Sequence, residues 1–453
     1  MGGTRGDSQG CYAGGIRRRA LSVSRAVVFI VAGVVPVQLL AQQLANTAPP
    51  LVFDGVTIVD VANGKLLPAQ RVVILGNRIQ TIERSGANPV PKGARVVDAR
   101  GQYLIPGLWD MHFHVQGYPE VMYPLAIANG VTGVRDMNHA HLDSLLRWRR
   151  EIMVGARVGP RMVLTGGYLG DEGDFDAQIR VTTPKQARRV VDSLQAASVD
   201  FIKVRNGLSR EVYFAAVAEA RRIGIPLVGH LSTGVTVAEA SDSGQRTIEH
   251  TTACRDADTD EQCAALAARL RRNGTWITPT LALGHYFAGG VAPERLRFWP
   301  DTVHGAFEGL QRGSRASDEA SATQRLAKAI RAGIPLLAGT DAAPLFPENT
   351  AGYSLQEEVI WFVAGGLSPV AALRTATLNP ALYLGATDSL GTVAVGKLAD
   401  LVVLAADPLA DIHNITTIAA VVANGRYFDR THLDALLAEV EHRGRGRAVA
   451  PVP

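Results

Sequence analysis

Between residues 107 and 385 one unit recurs: a short apolar, β-rich run followed by a segment of helical character. The candidate strands are LWDMHFHV, VTGVRDM, RMVLTGG, FIKV, PLVGH, TIEH, WITPTL and IPLLAGTD. The segments between them include runs such as SREVYFAAVAEARRIG (209–224), bounded by Ser209 and Gly224, which suit a helix cap and a helix stop. Strands that alternate with helices need a parallel sheet, because each connection must cross back over it. Eight such units predict an α/β protein built on a (β/α)8, or TIM, barrel. Two further helices, near 353–364 and 368–378, are expected to cover it.

The two flanks have a different texture. Residues 51–106 hold β-branched runs separated by Asn63-Gly64 and Gly76-Asn77, and 386–430 repeat the pattern around Asn424-Gly425. Such dipeptides between β-branched runs signal hairpins. The expectation is one small β-sandwich formed from both ends of the chain, with the barrel inserted at 107–385. Residues 431–453, ending in RGRGRAVAPVP, are expected to form a C-terminal tail.

Residues 1–41 stand apart. They carry Arg5, Arg17, Arg18, Arg19 and Arg25 against Asp7, and the arginine triplet precedes the apolar run AVVFIVAGVVPVQLLA. A basic segment followed by a short apolar one is the pattern of a secretory signal peptide. Export to the periplasm or the medium is therefore expected, an uncleaved membrane anchor being the alternative. No stable membrane insertion is expected after cleavage. Removing those six residues from 46 basic and 42 acidic ones leaves 41 of each. A balanced body argues against nucleic acid as a partner and leaves a small-molecule substrate, with homo-oligomerisation open. Cys254 and Cys263 lie nine apart in TTACRDADTDEQC. In an oxidising compartment they could form a bridge, two free thiols being the other reading.

The strand ends carry the chemistry. In a barrel of this kind the site is built at the C-terminal ends of the strands. His112 and His114 are two apart on the first strand and so share a face. Lys203 lies on FIKV, His230 ends PLVGH, His250 ends TIEH, and Asp341 ends IPLLAGTD. Neutral imidazoles with a carboxylate suit zinc or a similar divalent ion. A lysine cannot ligate as an ammonium, but its carbamate can bridge two metals, which would clamp a hydroxide and polarise a carbonyl.

DMHFH, the FIKV lysine, VGH and IEH twenty residues apart, GTD, and the junction PGLWDMHFH together resemble the amidohydrolase superfamily along nearly the whole mature chain. The branch they are most similar to is the imidazolonepropionase-like one, with its metal-dependent, prolidase-like dipeptidases and ochratoxin-type amidases. The resemblance implies a hydrolase of carbon–nitrogen bonds with two divalent metals, Zn2+ by expectation, bridged by N6-carboxylysine at Lys203. His112, His114 and Asp341 would hold the first metal, and His230 and His250 the second. Asp341 would take the proton from a bridging hydroxide and pass it to the leaving amine. The implied substrate is a dipeptide or N-acyl amino acid. Were Lys203 only a salt-bridging strand-end lysine, the site would be mononuclear, closer to imidazolone-ring hydrolases or deaminases. Hydrolysis of a cyclic amide or a lactone, at a mononuclear or a binuclear site, is the alternative. A non-catalytic binding protein on the same barrel would be expected to have lost ligands, and none of the six is missing.

For substrate contacts, Arg205 is placed to meet a carboxylate and Tyr168 to donate to a developing oxyanion. His139, His141 and His285 fall in loops expected on the same rim. The acidic run GDEGDFDAQIR suits a solvated lid.

Overall fold

The computed structural model describes residues 49–171, 177–254, 257–287, 293–300, 317–344, 346 and 349–446. The expected signal peptide lies outside them. Among the described residues no helix is long and apolar enough to cross a membrane.

The first five strands are β1 (Leu51–Asp60), β2 (Lys65–Leu75), β3 (Arg78–Arg84), β4 (Arg95–Asp98) and β5 (Tyr103–Pro106). β1, β2 and β3 run antiparallel, with turns at Asn63-Gly64 and Gly76-Asn77.

The middle of the chain supplies β6 (Leu108–Phe113), β7 (Val131–Asp136), β8 (Arg161–Leu164), β9 (Tyr168–Gly170), β10 (Gln178–Arg180), β11 (Ile202–Val204), β12 (Leu227–Gly229), β13 (Thr247–Glu249) and β14 (Trp276–Thr278). They form two parallel sheets, β6-β7-β8 and β10-β9-β11-β12-β13-β14. The eighth expected strand, IPLLAGTD, appears as single bridges, Ile277 to Leu336 and Phe113 to Ala342. Its backbone still laces the two sheets together. Leu337 N–H donates to Ile277 O at 2.9 Å, Met111 N–H to Ala338 O at 2.9 Å, and Asp341 N–H to His112 O at 2.8 Å. A Cβ at Gly339 would lie 2.7 Å from His112 N, so only glycine lets the two backbones approach this closely. On the other edge, Asp200 N–H reaches Leu164 O at 2.8 Å and joins the approach to β11 to β8. The short ladder of β9 and β10 has no counterpart in the expected unit; residues 172–176 of the acidic run, the expected lid, lie outside the described part.

The connecting helices are punctuated by the sequence itself. Thr183, Thr236 and Thr259 each accept the backbone N–H three residues on, while Gln186, Glu239 and Gln262 reach back in reciprocal capping boxes. Gly224, Gly244 and Gly274 end their helices in the left-handed region, where a Cβ is penalised.

The chain then returns to its first sheet through β15 (Leu401–Leu404), β16 (Ile418–Ala423) and β17 (Arg426–Asp429), giving the order β17-β16-β15-β5-β1-β2-β3 with β4 beside β1. Both ends of the chain thus build one eight-stranded sheet, joined where Leu401 pairs with Pro106. It has its own apolar cluster, including Phe53, Ile58, Ile74, Leu104 and Val422. Two turns from opposite ends of the sequence touch: Asn77 Nδ2 donates to Asn424 Oδ1 at 3.2 Å, and a Cβ at Gly425 would lie 2.1 Å from Gly76 O.

The expected C-terminal tail needs correction. Residues Arg430–Gly446 form a helix. Leu433 and Val440 are fully buried, with Leu436 and Leu437 packed beside them. Apolar residues at this spacing make one buried stripe, which outweighs the cost of the late glycines. Residues 447–453 lie outside the described part.

Candidate metal centre

His112 and His114 project from the end of β6, and Asp341 arrives on the segment laced to it. Asp341 Oδ1 lies 2.8 Å from His114 Nε2 and 3.2 Å from His112 Nε2. One ligand atom from each of the three falls within 4.8 Å of the others, and all three residues are buried. His250 Nε2 stands 4.0 Å from Asp341 Oδ2, and the His250 ring is 4.6 Å from that of His112 and 4.7 Å from that of His230. Lys203, Asp341, His114, His230 and His250 line one cavity of about 650 Å3, with His112 buried beneath them. Asp341 and His250 have φ of +58° and +59°, uncommon outside glycine, and such strain clusters at functional sites.

The ring nitrogens fit a metal. Nδ1 of His112 lies 3.0 Å from Glu249 Oε2, and Nδ1 of His230 lies 3.0 Å from Asn206 Oδ1. Nδ1 of His250 lies 2.8 Å from Thr280 Oγ1, whose own proton goes to Pro279 O. All three partners accept, so each Nδ1 carries the hydrogen and the neutral ring offers its Nε2 lone pair to a metal. His112 Nε2 is buried, and its 3.2 Å approach to Asp341 Oδ1 lacks hydrogen-bond geometry. Burial drives His114 down to about 4, with Lys203 adding to the effect, and drives His250 down to about 3. His230 falls well below its usual range for the same reason. For Asp341, burial works against the charge, but the two imidazoles beside it win and hold the carboxyl well below its usual range. His112 runs the other way: burial lowers its imidazole, but Asp341 and Glu249 at its two nitrogens raise it overall. The neutral imidazole and the ionised carboxylate are the forms that ligate. Lys203 is 4% exposed, and burial brings its ammonium down to about 8.

A second set of residues braces the first. Asp110 accepts the backbone N–H of His112 and of Thr340 at 3.1 Å each and the Thr340 hydroxyl at 2.7 Å, tying β6 to the segment that bears Asp341. Glu249 also accepts from Arg135, Nη2 to Oε1 at 2.9 Å. Sequence reasoning passed over Asp110 and Glu249. The first stands two before His112, on the same strand face. The second immediately precedes His250.

The expected substrate contacts divide. His139, His141, Tyr168 and Arg205 line the cavity. Arg205 Nη1 donates to Tyr168 OH at 3.1 Å, so β9 and the end of β11 present a guanidinium and a phenol together. His139 accepts the His141 backbone N–H at Nδ1 and packs on Trp148. Burial, with His141 nearby, lowers its imidazole to about 4. His285 is a correction: it lies in the helix Leu281–Phe287, not a loop, and packs on Trp361 with tilted rings, centroids 4.5 Å apart. Leu283 of that helix lines the cavity instead. Cys254 and Cys263 are joined in a disulfide, Cα to Cα 5.3 Å.

A mixed α/β fold with this cluster at the ends of parallel strands defines an amidohydrolase-type protein. The chain belongs to the amidohydrolase family, whose model matches residues 103–427. An adenine deaminase of Rubrobacter xylanophilus is 25% identical over 86% of this chain and 61% of its own length. This chain spans about three-fifths or less of the first adenine deaminases it matches. A dihydroorotase of Pelotomaculum thermopropionicum is 28% identical over 79% of this chain and 89% of its own. Among solved structures, a Bifidobacterium longum protein described as a prolidase is similar at TM-score 0.68, 26% identity, 86% of this chain and 99% of its own. A bottromycin amidohydrolase aligns at TM-score 0.71, 24% identity, 90% and 94%.

Proposed function

We propose that this chain is an exported, metal-dependent hydrolase that cleaves an amide bond, in a dipeptide or an N-acyl amino acid. The observation that carries the reading is the position of Asp341, whose Oδ1 faces His112 and His114 and whose Oδ2 faces His250. His112, His114 and Asp341 would hold one divalent ion, expected to be zinc, and His230 and His250 a second, with carbamylated Lys203 between them. Bound there, such ions would polarise the scissile carbonyl and acidify water. Asp341 would take the proton of the attacking water and return it to the leaving amine. Arg205 would hold the substrate carboxylate and Tyr168 donate to the carbonyl oxygen. The burial of Lys203 favours the uncharged amine, the form that adds to CO2.

The architecture belongs to this reading. Eight strand segments in cyclic order, with backbone bonds from 337 to β14 and from β6 to 338, support a closed (β/α)8 barrel. The sheet shared by both chain ends supports the small sandwich beside it. The disulfide between Cys254 and Cys263 suits an oxidising compartment and so supports export. The test is a panel of dipeptides and N-acyl amino acids assayed with zinc and bicarbonate present, beside adenine and cyclic amides. Amide turnover lost in Asp341→Asn supports the reading. Turnover of only the second group would replace it with the deaminase or cyclic-amide alternative; adenine deaminase is the activity that relatives such as the Rubrobacter xylanophilus protein are named for.

A further inference from the structure

His112 is the one imidazole of the cluster whose Nδ1 faces a carboxylate; the second hydrogen bonds of His230 and His250 go to an amide oxygen and a hydroxyl. That carboxylate, Glu249, comes from β13 on the far side of the strand set, 137 residues on in sequence. It is 3% exposed and His112 is fully buried. Glu249 is itself held. Its Oε1 accepts from Arg135 Nη2 at 2.9 Å and from the Thr247 hydroxyl. Arg135, also fully buried, spends its other donors on Met111 O at 2.6 Å, Thr247 Oγ1 at 2.9 Å and Tyr383 OH at 3.4 Å. Four elements, β6, β7, β13 and the helix Leu378–Tyr383, thus fix one carboxylate against one ring nitrogen.

Such an arrangement does two things. It fixes the hydrogen on Nδ1, so that Nε2 keeps its lone pair and its direction toward Asp341. It also places a full negative charge behind the ring, which raises its basicity as a ligand. Charge balance explains Arg135: a lone buried carboxylate would be costly, and a hydrogen-bonded guanidinium offsets it. The neighbouring residue, His250, turns away at φ +59° toward His230. One strand end therefore serves both halves of the site, supporting the first through Glu249 and contributing His250 to the second.

We propose that Glu249, clamped by Arg135, is a positioning residue that selectively strengthens the metal position formed by His112, His114 and Asp341. This rests on the two-metal reading only for the word selectively. The test is zinc binding by competition with a chromophoric chelator, on wild type, Glu249→Gln and the double variant Arg135→Met/Glu249→Gln, each checked for folding by circular dichroism. The single variant leaves a buried guanidinium uncompensated and is at risk of misfolding. The double removes both charges while the glutamine oxygen can still accept from Nδ1, so it keeps the question answerable. The expected result is a loss of roughly 10- to 100-fold in affinity for one zinc, the other unchanged within about threefold. Unchanged affinity for both zincs in a folded variant, or equal loss of both, would overturn the proposal. Should wild type itself bind a single zinc, the two-metal reading fails. The role of Glu249 is then decided by whether that one affinity falls by the same factor.

Discussion

Asp341 Oδ1 stands 2.8 Å from His114 Nε2, while its other oxygen faces His250 at 4.0 Å. One carboxylate therefore reaches both groups of imidazoles, and a single substitution separates holding a metal from moving a proton. Asp341→Asn keeps an oxygen that can ligate but removes the base. Turnover should fall roughly 10²- to 10⁴-fold, with at least one metal retained per chain by elemental analysis. A variant that keeps its metal and also its turnover would exclude Asp341 as the proton carrier.

The Arg205–Tyr168 pair predicts discrimination at the substrate. Arg205→Ala should raise KM for carboxylate-bearing amides about 10- to 100-fold, the scale of a lost charge-assisted hydrogen bond. The corresponding substrate esters or amides should be little affected. Steady-state kinetics on matched acid and ester pairs checks this, and an equal loss on both would remove the pair from carboxylate recognition.

Glu358 gives a pH prediction away from the cluster. It is fully buried, accepts the Ala282 N–H at 2.8 Å, and burial raises its carboxyl to about 8. The folded chain then binds a proton that the unfolded chain releases near pH 4.5, so this group's contribution to stability is present below about 4.5 and lost as pH rises toward 8. Glu358→Gln should therefore melt higher than wild type at pH 8, with the gap closing toward pH 5. A gap that widens on acidification would contradict the assignment.

Cys254 and Cys263, nine apart in sequence, close a short loop for which chain entropy gives about 2–3 kcal/mol. The double serine variant should unfold at lower denaturant concentration than wild type under oxidising conditions. With reductant able to reach the unfolding chain, the difference should shrink. An unchanged midpoint would mean the bridge adds nothing to stability.

Much of this site was legible in the chain because a strand shows its face directly. His112 and His114 share a side by period two, and His230, His250 and Asp341 sit where β-rich runs stop. The pairing of the two chain ends was legible from the Asn-Gly and Gly-Asn turns, and the structure adds that Asn77 and Asn424 meet. Glu249 and Arg135 were not legible, because their meaning lies in a contact across the strand set that no local period records. His285 went astray because helical phase decides which of Leu283 and His285 faces the cavity. The helix Arg430–Gly446 was hidden by Gly444 and Gly446, which mask an apolar stripe at Leu433, Leu436, Leu437 and Val440.

The proposed two-metal site bridged by carbamylated Lys203 is tested most directly by metal content. Wild type and Lys203→Ala, both produced with zinc and bicarbonate, would be compared by elemental analysis per chain. A carbamate-bridged pair requires two zinc ions in wild type and one or fewer in the variant. One zinc in both proteins would contradict it.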